Sequence, residues 1–544
     1  MSASAVLTVS VGSAVGLASL KVPDAKGLPP GGYVLAIGRG ADGQAHVVLE
    51  GADAAGTFYA AQTLRRLVRG RRLPSVAVRD WPSLAIRGVV EGFYGPPWPD
   101  RERLAMLDFL AAHKLNAYVY SPKDDAYARA RWRDPYPAGR LAALHALAAR
   151  ATADHVTFTY ALSPGLSICF SSATDLRAVF AKLESLWAVG VRSFAIPLDD
   201  IDYRRFHCRG DDARFGSGPA AAATAQAHLL NAIDRAFVAT HPGAGRLITV
   251  PTEYANVAST AYTRTLAALL APDVVVEWTG GAVFARSISR AEAGAARGVY
   301  GHDVLLWDNY PVADERVPRV LRLAPYRGRE PGLSSALLGI TANPMIQPEA
   351  TKIPLFTIAD YAWNDSAYDP GRSWAASLDE FAGGDAAVAA ALRAFADVDY
   401  ASALDPRQAP ELSARIAAFW RSWKAGGSRG VAALRVSFAA LRDAPRLLRA
   451  RLADARFLAE TSPWLDAART WGAAGLAAID LLQASRAGRR ADAQAAARAM
   501  RALGARARSF SDVQDGRRFP VEVAGGVLDA FLADALAAAV AASR

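Results

Sequence analysis

The sequence predicts an α/β protein built on a (β/α)8 barrel of the TIM type, flanked by a small N-terminal α+β domain and a C-terminal α-helical bundle. Three observations carry this. From about Ala85 to about residue 368, eight short apolar runs alternate with stretches of helical spacing. Eight βα units in roughly 280 residues match the size of a closed barrel. Beyond about residue 370 the strand signal vanishes into sequence rich in Ala, Leu and Arg. The expected domains are residues 1–82, 83–368 and 369–544.

At 544 residues the chain has ample material for several cores. It is 52% hydrophobic and 21% charged, an ordinary globular balance. No uninterrupted apolar run of membrane-spanning length occurs, so no membrane partner is expected. The opening residues lack the basic n-region of a signal peptide. The default expectation is therefore the cytoplasm, or export if a leader has been removed. A formal charge of +10 raises nucleic acid as a partner. Much of the arginine, however, sits among alanines in helical sequence without interleaved aromatics, the pattern of solvated helix faces.

Residues 1–82 contain strand-like Tyr33 to Ile37 and His46 to Glu50, then a helical stretch from Thr57 to Val68. Gly38-Arg-Gly-Ala-Asp-Gly43 is formally a GxGxxG, but a second strand follows it where a phosphate-binding loop needs a helix. It reads as a hairpin turn. The eight barrel strands are expected at Ile86–Gly92, Asn116–Tyr120, Thr157–Leu162, Ser193–Leu198, Leu247–Pro251, Val274–Trp278, Asp303–Trp307 and Leu338–Thr341. Helices are expected between them, among others at Arg101–His113, Leu176–Val189 and Ala220–Ala239. In the last region apolar spacing predicts helices at Leu412–Trp423, Val431–Leu452, Trp464–Ser485 and Ala491–Ala507. Trp420, Trp423, Trp464 and Trp471 read as core residues of that bundle.

In a parallel barrel the working residues sit at the strand C-termini. The fourth strand ends in Asp199-Asp200-Ile-Asp202, adjacent acids that an ordinary buried strand avoids because desolvating a charge is costly. Consecutive strand residues point to opposite faces, so the chain must already be turning for Asp199 and Asp200 to act together. Two neighbouring carboxylates repel, which predicts that one pKa is raised. Other strands end in Glu91-Gly-Phe-Tyr-Gly-Pro-Pro-Trp98, Ser121-Pro-Lys-Asp-Asp125, Pro251-Thr-Glu-Tyr254, Trp278-Thr-Gly, Trp307-Asp-Asn309 and Ala342-Asn-Pro344. Acids and amides for hydroxyls, with aromatics for ring faces, suit a neutral polyhydroxylated ligand.

Metal and nucleophile chemistries find little support. No His-Glu-x-x-His, paired cysteine motif or serine elbow occurs, and neither metal nor cofactor is expected. Asp200-Ile-Asp202 resembles the Asp-x-Asp of some glycosyltransferases, without an accompanying nucleotide-phosphate loop. Asp211-Asp212 lies in a Gly-rich stretch and reads as solvated. Asp124-Asp125, beside Lys123, Arg129, Arg131 and Arg133, reads as a structural ion-pair network.

Arg87-Gly-Val-Val-Glu-Gly-Phe-Tyr-Gly95, Tyr120-Ser-Pro-Lys-Asp-Asp125, Leu198-Asp-Asp-Ile-Asp202, Pro251-Thr-Glu-Tyr254, Trp307-Asp-Asn309 and Ala342-Asn-Pro344 resemble, in this order, glycoside hydrolase family 84. That family comprises the O-GlcNAcases and related bacterial β-N-acetylglucosaminidases, some historically called hyaluronidases. The resemblance covers about residues 30–365. It implies retaining hydrolysis in which the substrate's 2-acetamido oxygen attacks C1, an exception to the two-carboxylate scheme. Asp199 would orient the acetamide and accept its N–H proton, and Asp200 would act as general acid and then base. Gly92 and Lys123 would meet sugar hydroxyls, Asp314 the 4- and 6-hydroxyls, and Asn309 and Asn343 the acetamide and sugar edge. Tyr254 and Trp307 would wall the acetamide pocket.

The expected partner is a β-GlcNAc-bearing glycopeptide or glycan, with oligomeric state open. An endo-acting hyaluronan-degrading enzyme and a non-catalytic glycan-binding barrel remain alternatives. Cys169 and Cys208, the two cysteines, follow the third and fourth barrel strands. Adjacent rim loops should bring their Cα atoms within the ~7 Å that bridging requires, as a close thiol contact or a disulfide.

Overall fold

The computed structural model describes residues 7–41, 43–68, 72–317, 319–427 and 429–542. Strand β1 (Leu7–Val11) runs parallel to β3 (Ala45–Gly51), and β2 (Tyr33–Arg39) lies antiparallel between β3 and β4 (Val76–Asp80). A one-turn helix α1 (Leu17–Leu20) precedes β2, and α2 (Ala54–Leu67) follows β3. Asp53 caps α2 by accepting from the Gly56 amide. Tyr59 and Ala60 of α2 bury against Tyr33, Leu35, Ile37, Val47 and Leu49, the alternate residues of two neighbouring strands. The glycine-rich turn joins β2 to β3 with Arg39 opposite Ala45, so it is a hairpin turn; Asp42 within it lies outside the described residues.

The barrel closes as expected. Strands β5 (Ile86–Glu91), β6 (Ala117–Tyr120), β7 (Thr157–Ala161), β8 (Ser193–Pro197), β9 (Ile248–Val250), β10 (Val275–Trp278), β11 (Val304–Asp308) and β12 (Leu337–Ala342) pair in parallel in chain order. β12 returns to β5 from Gly339 opposite Ile86 to Ala342 opposite Val89. Around them lie α3 (Asp100–Ala112), α4 (Ala138–Ala153), α5 (Ala173–Ala188), α6 (Arg209–Phe215), α7 (Pro219–Ala236), α8 (Ala261–Leu269), α9 (Arg290–Tyr300) and α10 (Pro348–Trp363).

Strand parity sorts the side chains. Val90, Val119, Ala161, Ala195, Val250, Val275, Leu305 and Trp307 fill the lumen, while Val89, Tyr118, Tyr160, Phe194, Val276 and Leu306 join the layer under the helices. The same parity removes two acids from the rim. Glu91, fully buried, accepts twice at 2.8 Å from Arg103 of α3 and again from the Trp98 amide and the Tyr118 hydroxyl. Asp308 turns outward to Arg329 at 2.6 Å and to the Tyr326 hydroxyl. Both are structural ion pairs and not ligand groups.

Helices α11 (Pro370–Phe381), α12 (Ala386–Val398), α13 (Pro410–Lys424), α14 (Arg429–Arg451), α15 (Ala455–Glu460), α16 (Ser462–Arg486), α17 (Arg490–Ala507) and α18 (Val527–Ala542) form the last region. Long α16 is its axis. Gly472 and Gly475 let α14 close on it, since a Cβ at either would lie 2.5 Å from the Arg442 nitrogen or 2.4 Å from the Phe438 ring. Trp464 and Trp471 are core, while Trp420 and Trp423 are half-buried at its edge. Arginines on these helices pair with neighbouring acids, among them Arg435 with Asp480 and Arg449 with Asp466, and Arg486 covers Trp423.

Two findings depart from expectation here. A hairpin, β13 (Ser511–Gln514) and β14 (Arg517–Pro520), interrupts the helical sequence, turning at Asp515-Gly516 with both φ positive. The stretch Ala524–Ala542 is long and apolar enough to cross a membrane by length and composition. Asp529 and Asp534 interrupt it, and its face of Leu528, Phe531, Leu532, Ala535 and Ala539 is buried in the bundle.

Replacing Arg103 by leucine would leave the fully buried Glu91 charge without its cation. We expect Arg103→Leu to destabilise the barrel by about 3–5 kcal/mol, read as a lowered Tm, with Glu91→Gln/Arg103→Leu recovering part of the loss.

Candidate active site

β8 ends at Pro197, where the Leu198 amide donates to the Val250 carbonyl and the chain then turns. The Ile201 amide donates back to the Asp199 carbonyl at 3.0 Å, a turn that aims Asp199 and Asp200 at the same space. That space is a cavity of about 200 Å³ at the C-terminal mouth of the barrel. All nine residues named from the sequence line it: Gly92, Lys123, Asp199, Asp200, Tyr254, Trp307, Asn309, Asp314 and Asn343.

Lys123, from the loop after β6, joins the two acids. Its ammonium lies 3.0 Å from Asp199 and 3.3 Å from Asp200 and is almost completely buried. Burial opposes its charge, but the two carboxylates raise its pKa beyond the ordinary lysine range. Asp200 also faces Arg129 at 3.5 Å and accepts from the Tyr94 hydroxyl. Burial pushes its pKa up, yet Lys123, Tyr94 and Arg129 together hold it below the usual carboxylate value. The expectation of a raised acid therefore fails for Asp200 in this state of the protein. Adjacent carboxylates repel, but the cations between and beside them outweigh the repulsion.

The opposite wall is a chain of amides. Trp307 Nε1 donates to Asn309 Oδ1 at 2.9 Å, Asn343 Nδ2 donates to the same oxygen at 3.0 Å, and Asn309 Nδ2 donates to the Val283 carbonyl. The Gly92 amide donates to Asn343 Oδ1 at 3.3 Å. Gly92 has room for no side chain, because a Cβ would sit 2.3 Å from the Trp307 ring. Asp314 accepts from the Tyr94 amide at 2.6 Å, and burial raises its pKa. Burial and the two aspartates push the Tyr254 phenol up to about 12.

Sequence reasoning passed over Tyr94 and Arg129, which reach Asp200 from separate loops, and Val283, Phe284 and Glu315 in the cavity wall. Tyr94 stood in the quoted Glu-Gly-Phe-Tyr run, and its place just past the end of the first barrel strand is the missed signal. Other acids read differently once placed. Asp202 is exposed and paired with Arg204, so the Asp-x-Asp pattern does not converge on one point. Asp211 is fully buried in the first turn of α6 and accepts from the Phe170 and Ser171 amides, whereas solvation was expected. Asp125 accepts from the hydroxyls of Tyr120 and Tyr136, with Arg131 and Arg133 paired elsewhere, which replaces the expected ion-pair network. Cys169 and Cys208 form a disulfide with Cα atoms 5.6 Å apart, tying the loops after β7 and β8. Asp211 brings a third ligand-type atom within 4.8 Å of the two sulfurs, but the bridge leaves no thiolate for a metal.

A closed barrel whose strand ends present paired carboxylates and an amide-and-aromatic wall is of the sugar-hydrolase type. The family model described as beta-N-acetylglucosaminidase matches residues 87–397, and the chain belongs to that family, glycoside hydrolase family 84. A hyaluronidase post-catalytic domain-like model matches residues 411–532, and a glycosyl hydrolase family 20 domain 2 model matches 4–81. Protein O-GlcNAcase from Mus musculus is 33% identical over 280 residues, as is that from Rattus norvegicus. The match spans 50% of this chain and 29% of each relative's length. Among solved structures, CpGH84B is 31% identical with a TM-score of 0.83, covering 95% of this chain and 88% of that one. An O-GlcNAc hydrolase mutant from Thermobaculum terrenum is 30% identical with a TM-score of 0.76, covering 85% and 96%.

Lys123 is the first of the three groups that hold Asp200 down. In Lys123→Met, carboxyl NMR should show Asp200 titrating at higher pH than in the wild type. An unmoved titration would mean that Tyr94 and Arg129 suffice without it.

Proposed function

We propose that this chain is an exo-acting, retaining β-N-acetylglucosaminidase that cleaves terminal β-linked GlcNAc through an oxazoline formed by the substrate's own acetamide. The observation that carries this reading is the turn at Asp199-Asp200, which aims two carboxylates at one cavity walled by Trp307, Asn309 and Asn343. Asp199, bound to Lys123, takes the acetamide N–H proton as its oxygen attacks C1. Asp200 gives a proton to the leaving oxygen and then removes one from water. Water opens the oxazoline at C1 while Asp199 returns the proton to the acetamide nitrogen, so two inversions retain the configuration.

Asp200 must be protonated to begin, and in the free protein three donors oppose that. A sugar in the cavity supplies hydroxyls that compete for Lys123 and Tyr94, and the relief of either contact lets the Asp200 pKa rise. Catalysis thus depends on substrate binding to unlock its own acid. Gly92 lets the sugar approach the backbone, Asp314 meets its hydroxyls, and Asn309 and Asn343 meet the acetamide and sugar edge.

O-GlcNAc on serine or threonine is the substrate we assign, supported by the relatives named protein O-GlcNAcase. A cavity of about 200 Å³ suits one sugar better than the extended cleft of an endo-acting hyaluronidase. The retained acids argue against a purely binding role. The disulfide supports an oxidising compartment over the cytoplasmic default.

Hydrolysis of an aryl β-GlcNAc, an O-GlcNAc peptide, chitobiose and hyaluronan tests these choices together. The expected product is free GlcNAc, with the peptide preferred; reducing oligosaccharides from hyaluronan would instead establish the endo reading. GlcNAc-thiazoline, which mimics the cyclised intermediate, should inhibit competitively. Across aryl glycosides of graded leaving-group pKa, Asp200→Asn should lose kcat/KM steeply on poor leaving groups, by about 10²–10⁴. Asp199→Asn, acting on the unchanging acetamide, should show a shallower dependence, and the reverse order would exchange the roles.

A further inference from the structure

Asp314 lies beyond the end of β11, just past Val312, whose amide donates to the Asn343 carbonyl at 2.8 Å. From there a side chain shapes the loop. Arg319 Nη1 donates to the Asp314 carbonyl at 2.6 Å and to the Arg316 carbonyl at 3.1 Å, closing a turn on Asp314-Glu-Arg316. Arg319 is itself gripped by the C-terminal region. Its guanidinium lies 4.3 Å from the centre of the Phe519 ring. Its amide donates to the Pro520 carbonyl at 2.8 Å, and its carbonyl accepts from the Glu522 amide at 2.9 Å and from Trp464 Nε1 at 3.3 Å. Arg316 pairs with Glu522 at 3.3 Å.

We propose that Arg319 is a positioning residue for Asp314, with Phe519 acting through it, so that strictness toward the sugar's 4- and 6-hydroxyls is set from the C-terminal region and not by the barrel alone. No bond is made or broken in this role. The inference rests on the reading of the site as a β-N-acetylglucosaminidase in which Asp314 meets those hydroxyls.

The Asp314 carboxylate is held from the barrel side by the Tyr94 amide, at 2.6 Å. One hydrogen bond fixes where one oxygen sits and leaves the group free to turn about it. The backbone of the same residue must then be fixed separately, because a substrate contact is degraded when its acceptor moves by about 1 Å. Arg319 supplies that second constraint. A guanidinium is planar and holds its donors in a rigid fork, so the two carbonyls it bonds are kept at a set spacing. The arginine stem is flexible, and the face of Phe519 restricts it through cation–π attraction. The strand-like pairing of Arg319 with Val521 fixes the other end of the side chain.

The test compares 4-nitrophenyl β-GlcNAc with its 4,6-dideoxy analogue, which keeps the acetamide and the leaving group and lacks the two hydroxyls. In Arg319→Met, kcat/KM on the GlcNAc substrate should fall about tenfold, while the dideoxy substrate changes by less than about twofold. Phe519→Leu, which keeps an apolar neighbour without a ring face, should show the same pattern at about threefold. Arg319→Lys keeps the charge without the fork and should share most of the loss. Asp314→Ala should lose the preference for the hydroxyls, and adding Arg319→Met to it should cost nothing more. Equal losses on both substrates would make Arg319 a staple between domains, and full rescue by lysine would make it a source of charge. Either result overturns the proposal.

Hydrogen–deuterium exchange supplies a readout that needs no substrate. The Tyr94 amide is protected by Asp314, so its exchange should quicken in Arg319→Met and in Phe519→Leu. Phe519 is half-buried on the hairpin, so its variant tests the idea even where Arg319→Met does not fold. Unchanged exchange at Tyr94 overturns the proposal. A wild type inactive on both substrates, with faster exchange in the variants, overturns the assigned reaction and leaves the anchoring of Asp314 standing.

Discussion

A single buried ammonium makes the centre of this protein possible. Two consecutive carboxylates on one turn would repel each other strongly at low dielectric, and either would be expelled or protonated without compensation. Lys123 touches both, at 3.0 and 3.3 Å. The β6 loop is therefore fixed to the β8 loop by charge, across the intervening β7. Arg129 and Tyr94 shift that balance further by adding to the hold on Asp200.

The walls around this centre are held in place from outside the barrel. The Asp314 loop is tied inward by the Tyr94 amide and outward by Arg319, whose side chain donates to the Asp314 carbonyl. Arg319 in turn exchanges backbone hydrogen bonds with Pro520 and Glu522, at the end of the hairpin. Trp464 of α16 also donates to the Arg319 carbonyl. The helical region thus supports a substrate wall directly, besides packing on the barrel.

The eight barrel strands were legible because parallel strands buried on both faces read as short apolar runs between helices. The paired acids were legible because their cost in a buried strand demanded an explanation. Parity at the strand ends was not, so Glu91 and Asp308 read as rim groups until their pairing with Arg103 and Arg329 showed them facing outward. Asp211 was misread because a Gly-rich composition hid a helix first turn that receives two amides from another loop. The charge state of Asp200 depends on Tyr94 and Arg129, which lie 106 and 71 residues away in sequence and meet it only in the fold. The hairpin carried its Asp-Gly turn signal in plain view, between strands too short and polar to register as such.

That hairpin also sets an order of events during synthesis. Arg319 and Pro520, bonded at 2.8 Å, are separated by 201 residues of chain. All eight barrel strands leave the ribosome well before the segment that pins the Asp314 loop. A nascent barrel can close, bury Glu91 and Asp308, and form its disulfide while one side of its substrate cavity still lacks its anchor. Activity in a growing chain should then appear late and in one step, when α16 and the hairpin dock, rather than accumulate with barrel folding.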